Sequence, residues 1–104
     1  MGLFNRTKID ARRATIADIK DIDNVNTFIK ILEENTNDEV RAEAARRLRD
    51  FTHSKREGKA AVYALNRAAT DDDNHEVRYN AVDSLSYMAR FRDCLLYTSD
   101  AADE

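Results

Sequence analysis

The chain has no proline and no tryptophan, and its 104 residues include only two glycines and one cysteine. Without proline and with so little glycine, the punctuation of hairpins and tight turns is almost absent, so helices joined by polar connections are expected rather than strands. The two glycines, Gly2 and Gly58, are far apart, which excludes a glycine-rich phosphate loop. A single cysteine excludes an internal disulfide and a multi-thiolate metal site. No apolar run is long enough for a signal peptide or a membrane span, and Arg6 stands where a myristoylation signal wants Ser or Thr. A soluble, cytoplasmic, all-α domain is expected. What is abundant is charge: 36% of residues, balanced to a net −3 with a pI near 5.4.

The informative pattern is internal. Laying VNTFIKILEENTNDEVRAEAARRLRDF over VYALNRAATDDDNHEVRYNAVDSLSYM gives a constant offset of 77 − 40 = 37 residues. It matches Val25 with Val62, Asn37 with Asn74 and Glu39 with Glu76, and then Val40, Arg41, Ala44 and Leu48 with Val77, Arg78, Ala81 and Leu85. A period of this size marks stacked supersecondary units.

Each unit resolves into two helices. Val25, Phe28, Ile29 and Leu32 follow the i, i+3, i+4, i+7 stripe of an amphipathic helix, and after the turn ENTND a second stripe runs through Val40, Ala44, Leu48 and Phe51. The other unit repeats this with Val62, Leu65 and Ala69, the turn TDDDNH, then Val77, Ala81, Leu85 and Met88. Asp38 and Asn74 are expected to cap the second helices, with Glu39 and Glu76 in the first turn. A weaker stripe of Ile9, Ile16 and Ile19 predicts a capping helix over residues 8–20. Surface pairs at i+4 spacing are expected from Glu43 to Arg47 and from Arg46 to Asp50.

The two copies of EVRxxAxxxL, EVRAEAARRL and EVRYNAVDSL, resemble the second helix of a HEAT-type repeat, particularly the short kind in prokaryotic proteins related to phycobilisome lyases. The resemblance covers about residues 22–92. It implies an α-solenoid, a stack of antiparallel helix pairs, working as a non-enzymatic protein-binding scaffold. The units would be an N-terminal segment with its cap (1–21), a first repeat (22–54) and a second (55–93). In that family an Asp six residues before the Val-Arg arginine joins a ladder of Asp and Arg side chains between repeats. Asp72 stands six before Arg78, but Asn35 stands six before Arg41, so a charged partner is missing from the pattern on the first repeat. These four residues are assigned an inter-repeat structural role.

Residues 94–104, CLLYTSDAADE, leave the pattern. Back-translated, the first ten residues of this stretch resemble in-frame read-through of a transposon-end adapter used in sequencing libraries. On that reading the stretch is non-native, Cys94 leaves the count, and the rest is an N-terminal fragment of a longer array. An apolar face that includes Phe91 is then expected to be exposed and to invite association.

Catalytic and metal readings find little support. A branch of these repeat proteins similar to deoxyhypusine hydroxylase holds di-iron through His-Glu pairs after the Val-Arg, where this chain has Ala42-Glu43 and Tyr79-Asn80. His75 is a lone histidine in a turn, and TDDDN lacks the glycine and spaced glutamate of an EF-hand loop. No catalytic residue, metal or cofactor is assigned. A role as the non-catalytic part of a phycobilin-lyase-type enzyme rests on family analogy alone.

Stepping about 100° per residue from Val40 and Val77, the positions pointing away from the core are Ala42, Arg46, Arg49 and His53, then Tyr79, Asp83, Ser86 and Arg90. In proteins of the family resembled, second helices line the concave face, so these columns would form the partner groove. Its arginines favour an acidic protein segment, with Tyr79 as an aromatic anchor. The alternative is a nucleic-acid groove. ARRLRD and HSKREGK supply basic residues, but Asp50, Glu57 and TDDDN interrupt them, and the acidic pI makes nucleic acid the weaker choice.

Overall fold

The structure is a computed structural model and describes residues 9–51 and 54–103, with side chains as far as residue 90. Among the described residues five α-helices follow in chain order: α1 (Ile16–Ile19), α2 (Val25–Glu34), α3 (Asp38–Arg47), α4 (Lys55–Asp71) and α5 (His75–Asp103). A 3-10 turn, Leu48–Asp50, extends α3. No strand occurs among the described residues. The architecture is two stacked helix pairs. α2 packs on α3 and α4 on α5 within each pair, while α2 meets α4 and α3 meets α5 between them.

The local signals repeat with the sequence. α2 ends where Asn35 turns extended at ψ 138°, and α4 ends at Asp72 with ψ 137°. The side chain of each of these residues accepts from the backbone N–H two residues on, Asn37 for Asn35 and Asn74 for Asp72. Asn37 and Asn74 then cap the next helix by accepting from the N–H groups of Glu39 and Glu76, both at 2.8 Å. The cap of α3 is thus Asn37, not the expected Asp38, which is the first helical residue and accepts from Asn74 Nδ2 of the neighbouring turn. Asn37 is the position that the 37-residue offset pairs with Asn74.

Burial follows the two stripes. Phe28, Leu32, Val40, Ala44, Leu48, Leu65, Val77, Ala81 and Met88 form one continuous core. Phe28 and Phe51 lie 5.6 Å apart, ring centre to ring centre, tilted by 57°, and the Arg47 guanidinium covers Phe28. Ser84 is buried between the second helices and donates to the carbonyl of Ala45 on α3 at 2.7 Å. That bond needs close approach of α3 and α5, which the small side chain of Ala45 allows.

The N-terminal cap differs from expectation. Instead of a helix over 8–20 there is a turn at residues 11–13 and then the four-residue α1, started by a reciprocal capping box between Thr15 and Asp18. Ala11, Ala14, Ile19 and Ile22 are buried, while Ile16 is exposed. A three-isoleucine stripe is too sparse to hold a longer helix, and the backbone carbonyls freed by the turn are used elsewhere.

Candidate functional site

Two groups of polar residues are organised across the repeats: a junction at the turns and a face on the second helices. At the junction, Arg41 of α3 donates through Nε to Asp72 Oδ2 at 2.9 Å and through Nη2 to Asp72 Oδ1 at 3.0 Å. This is the parallel two-bond geometry that a planar guanidinium and a carboxylate favour. Nη1 of Arg41 reaches the carbonyl of Asn35 at 2.9 Å, and Nη2 also meets the exposed Asp73 at 3.3 Å. The pair is largely buried, with the two side chains 14% and 9% exposed. Burial pushes the Asp72 carboxyl up, but the Arg41 hydrogen bonds, the Asn74 N–H and the attraction of the guanidinium together hold it below the ordinary value. The bond to Asp72 in turn raises the Arg41 pKa. At this junction the buried charged link between the repeats is therefore Arg41 of the first with Asp72 of the second.

Arg78 repeats half of this arrangement. Its Nη1 donates to the carbonyl of Asp72 at 2.8 Å, as Arg41 does to Asn35. Asn35, 3% exposed, takes the opposite polarity from Asp72: its Nδ2 donates to the carbonyls of Ala11 and Ala14 at 2.7 and 2.9 Å. An amide fits because the N-terminal segment offers acceptors where the second junction offers a guanidinium.

On the second-helix face, Arg49 links the two columns. It donates to Asp83 at 3.3 Å, and its guanidinium carbon lies 4.9 Å from the centre of the Tyr87 ring. Arg46 is held by its own helix through two bonds to Glu43, at 2.6 and 3.2 Å, an i,i+3 pair in place of the expected Arg46 to Asp50 contact. That bond raises the Arg46 pKa. Tyr79 is 69% exposed, and Ser86 and Arg90 are exposed beside it. Ala42 is buried, so it does not belong to the face. His53 lies outside the described residues, and the Phe91 side chain does too. Tyr87, missed by the sequence reading, belongs to the cluster. Its i+4 spacing from Asp83 was the available signal.

An open cleft of about 460 Å³ lies at the junction, lined by Leu32, Glu33, Arg41, Arg67, Asp71 and Asp72 among others. No buried polar side-chain atom among the described residues lacks a partner. His75 is exposed, and no group of three or more metal-ligating side chains occurs among the described residues. None of the helices searched is long and apolar enough to cross a membrane.

Stacked helix pairs with equivalent residues in equivalent positions, joined through a shared junction, define an α-solenoid repeat protein. The sequence model for the family described as HEAT repeats matches residues 3–101, and the chain belongs to that family. No curated protein and no solved structure matches it.

Proposed function

We propose that the chain is a non-enzymatic scaffold with two repeats, about residues 22–54 and 55–93, that binds an acidic protein segment along the second-helix face. HEAT repeats generally mediate protein-protein interaction. The observation that carries the finer reading is the state of the face. Arg49, Asp83 and Tyr87 knit the columns together, while Tyr79 stands 69% exposed, Arg90 is exposed, and Arg46, though paired with Glu43, still reaches solvent. An aromatic side chain held on a rigid helix and flanked by cations is the arrangement that anchors a carboxylate-bearing segment.

The face's own carboxylates argue against a phosphate backbone as the ligand. Glu43 and Asp83 already engage Arg46 and Arg49, so the cationic field is local rather than continuous. The test is an array of defined peptides rich in Asp and Glu with a single apolar residue, measured against the wild-type chain and against Tyr79→Ala, Arg46→Glu and Arg90→Glu. Binding to a subset of peptides that each substitution weakens supports the reading. Failure of every acidic peptide to bind, or equal affinity of all the variants, refutes it.

A further inference from the structure

The two arginines that cross between the repeats are held in different ways. Arg41 places Nε and Nη2 on the two oxygens of Asp72, at 2.9 and 3.0 Å, and the pair is largely buried. Arg49 gives one nitrogen to one oxygen: Nη1 donates to Asp83 Oδ2 at 3.3 Å, with the two side chains 26% and 55% exposed. Its Nε and Nη2, the edge through which Arg41 holds a carboxylate, meet no acceptor among the described residues. On Arg46 the same edge is taken, because Nε and Nη2 both donate to Glu43. The Arg49 guanidinium is nonetheless oriented, since its carbon rests 4.9 Å from the centre of the Tyr87 ring. Arg49 is thus a held cation with an open two-bond edge and a weak resident partner.

We infer that Arg49 is the residue of this face that reads a guest carboxylate, and that Asp83 is a resident competitor that limits how tightly the guest binds. The inference rests on the acidic-segment reading and adds to it the atoms that select and the residue that restrains. A guest carboxylate takes the Nε–Nη2 edge in the parallel two-bond geometry seen at Arg41, while Arg49 stays on the Tyr87 ring. Asp83 opposes this twice. It already neutralises part of the cation through Nη1, and its charge repels a second carboxylate brought to the same guanidinium. A guest that offers only carbonyl or hydroxyl oxygens escapes the repulsion but forms only the weaker bonds of a neutral acceptor. Helix pairing does not by itself demand a carboxylate at this place, because the offset of 83 − 46 = 37 residues puts Arg46 there in the first repeat.

The test uses the array of acidic peptides described above, titrated by fluorescence anisotropy against the wild-type chain, Asp83→Asn, Asp50→Asn, Arg49→Gln, and Arg49→Gln combined with Asp83→Asn. Asp50 is exposed, adjoins Arg49 in sequence and enters no ion pair among the described residues. Asp50→Asn therefore makes the same change in net charge without altering the hold on Arg49. Asp83→Asn is expected to bind the peptides about two- to fivefold more tightly, the range that an exposed ion pair spans. Asp50→Asn gains clearly less, and the gain from Asp83→Asn disappears in the Arg49→Gln chain, which neither overall charge nor a structural role of Asp83 would produce. Circular dichroism verifies that each variant is folded. The inference alone is overturned if the wild-type chain binds and Tyr79→Ala weakens it, yet Asp83→Asn gains no more than Asp50→Asn or keeps its gain without Arg49. Binding by neither the wild-type chain nor Asp83→Asn overturns the inference together with the acidic-segment reading.

Discussion

Replacing Asp72 with alanine should be among the most damaging single polar substitutions in this chain, and the structure says why. The carboxylate accepts two bonds from Arg41 and one from the Asn74 N–H. Its removal leaves Arg41, 14% exposed, with only the Asn35 carbonyl and the exposed Asp73 as acceptors. Hydrogen bonds to charged groups contribute about 1.5–3 kcal/mol, and stripping one partner from a buried pair costs more than the pair itself is worth. A loss of about 2–4 kcal/mol follows, allowing for partial exposure, or roughly 10–20 °C in melting temperature for a domain of this size. Asp72→Asn should be milder, about 1–2 kcal/mol, because an amide oxygen still accepts from Asn74, as Asn35 does from Asn37.

Urea denaturation followed by circular dichroism measures both variants and Arg41→Ala. The double variant should be markedly less destabilised than the sum of the singles, since the residues act as one unit. The pH dependence is a second readout. Because Asp72 titrates below its ordinary value in the folded chain, its contribution is complete above the unfolded pKa and lost as pH falls through the folded one. The gap between wild type and Asp72→Asn should hold steady from about pH 5 to 8 and close below about pH 4. Equal stability of wild type and Asp72→Ala at neutral pH, within about 0.5 kcal/mol, would refute the reasoning.

Asn35→Asp, which makes the first junction match the second in sequence, should destabilise by about 2 kcal/mol or more at pH 7, because a buried carboxylate would face two carbonyl oxygens; chemical denaturation measures it. Gly58→Ala should stabilise by about 0.5–1 kcal/mol. Gly58 is inside α4, and an added Cβ would sit 3.7 Å from the Phe51 carbonyl, an ordinary contact. A thermal melt decides the sign. Asp83→Ala should change stability by less than about 1 kcal/mol, since its bond to Arg49 is half-exposed.

The helix pairs were legible because their signals are local and repeated. Apolar stripes at helical spacing appear twice in the sequence and both copies fold alike, and the cap was read correctly at Asn74 but one residue late, at Asp38, where Asn37 serves. What was hidden depends on geometry between elements. Ala42 and Tyr79 occupy the same position on a helical wheel, yet one is buried and the other is 69% exposed, because the wheel carries no information about what lies beside each helix. The charges of the face read as basic when counted, but Glu43 and Asp83 consume two of its cations once the helices are placed.

Asn35 shows how a departure from a repeat can carry meaning. Read against Asp72, it looks like a missing charge in the junction. In the fold, that position meets an arginine when a second helix precedes it and two backbone carbonyls when the N-terminal turn does. An acceptor suits the first neighbour and a donor the second, and substituting Asn for Asp changes one into the other without changing shape. The residue therefore records which neighbour lies on that side. Arg78 keeps the backbone half of the role of Arg41: its Nη1 donates to the carbonyl of Asp72, as that of Arg41 does to the carbonyl of Asn35.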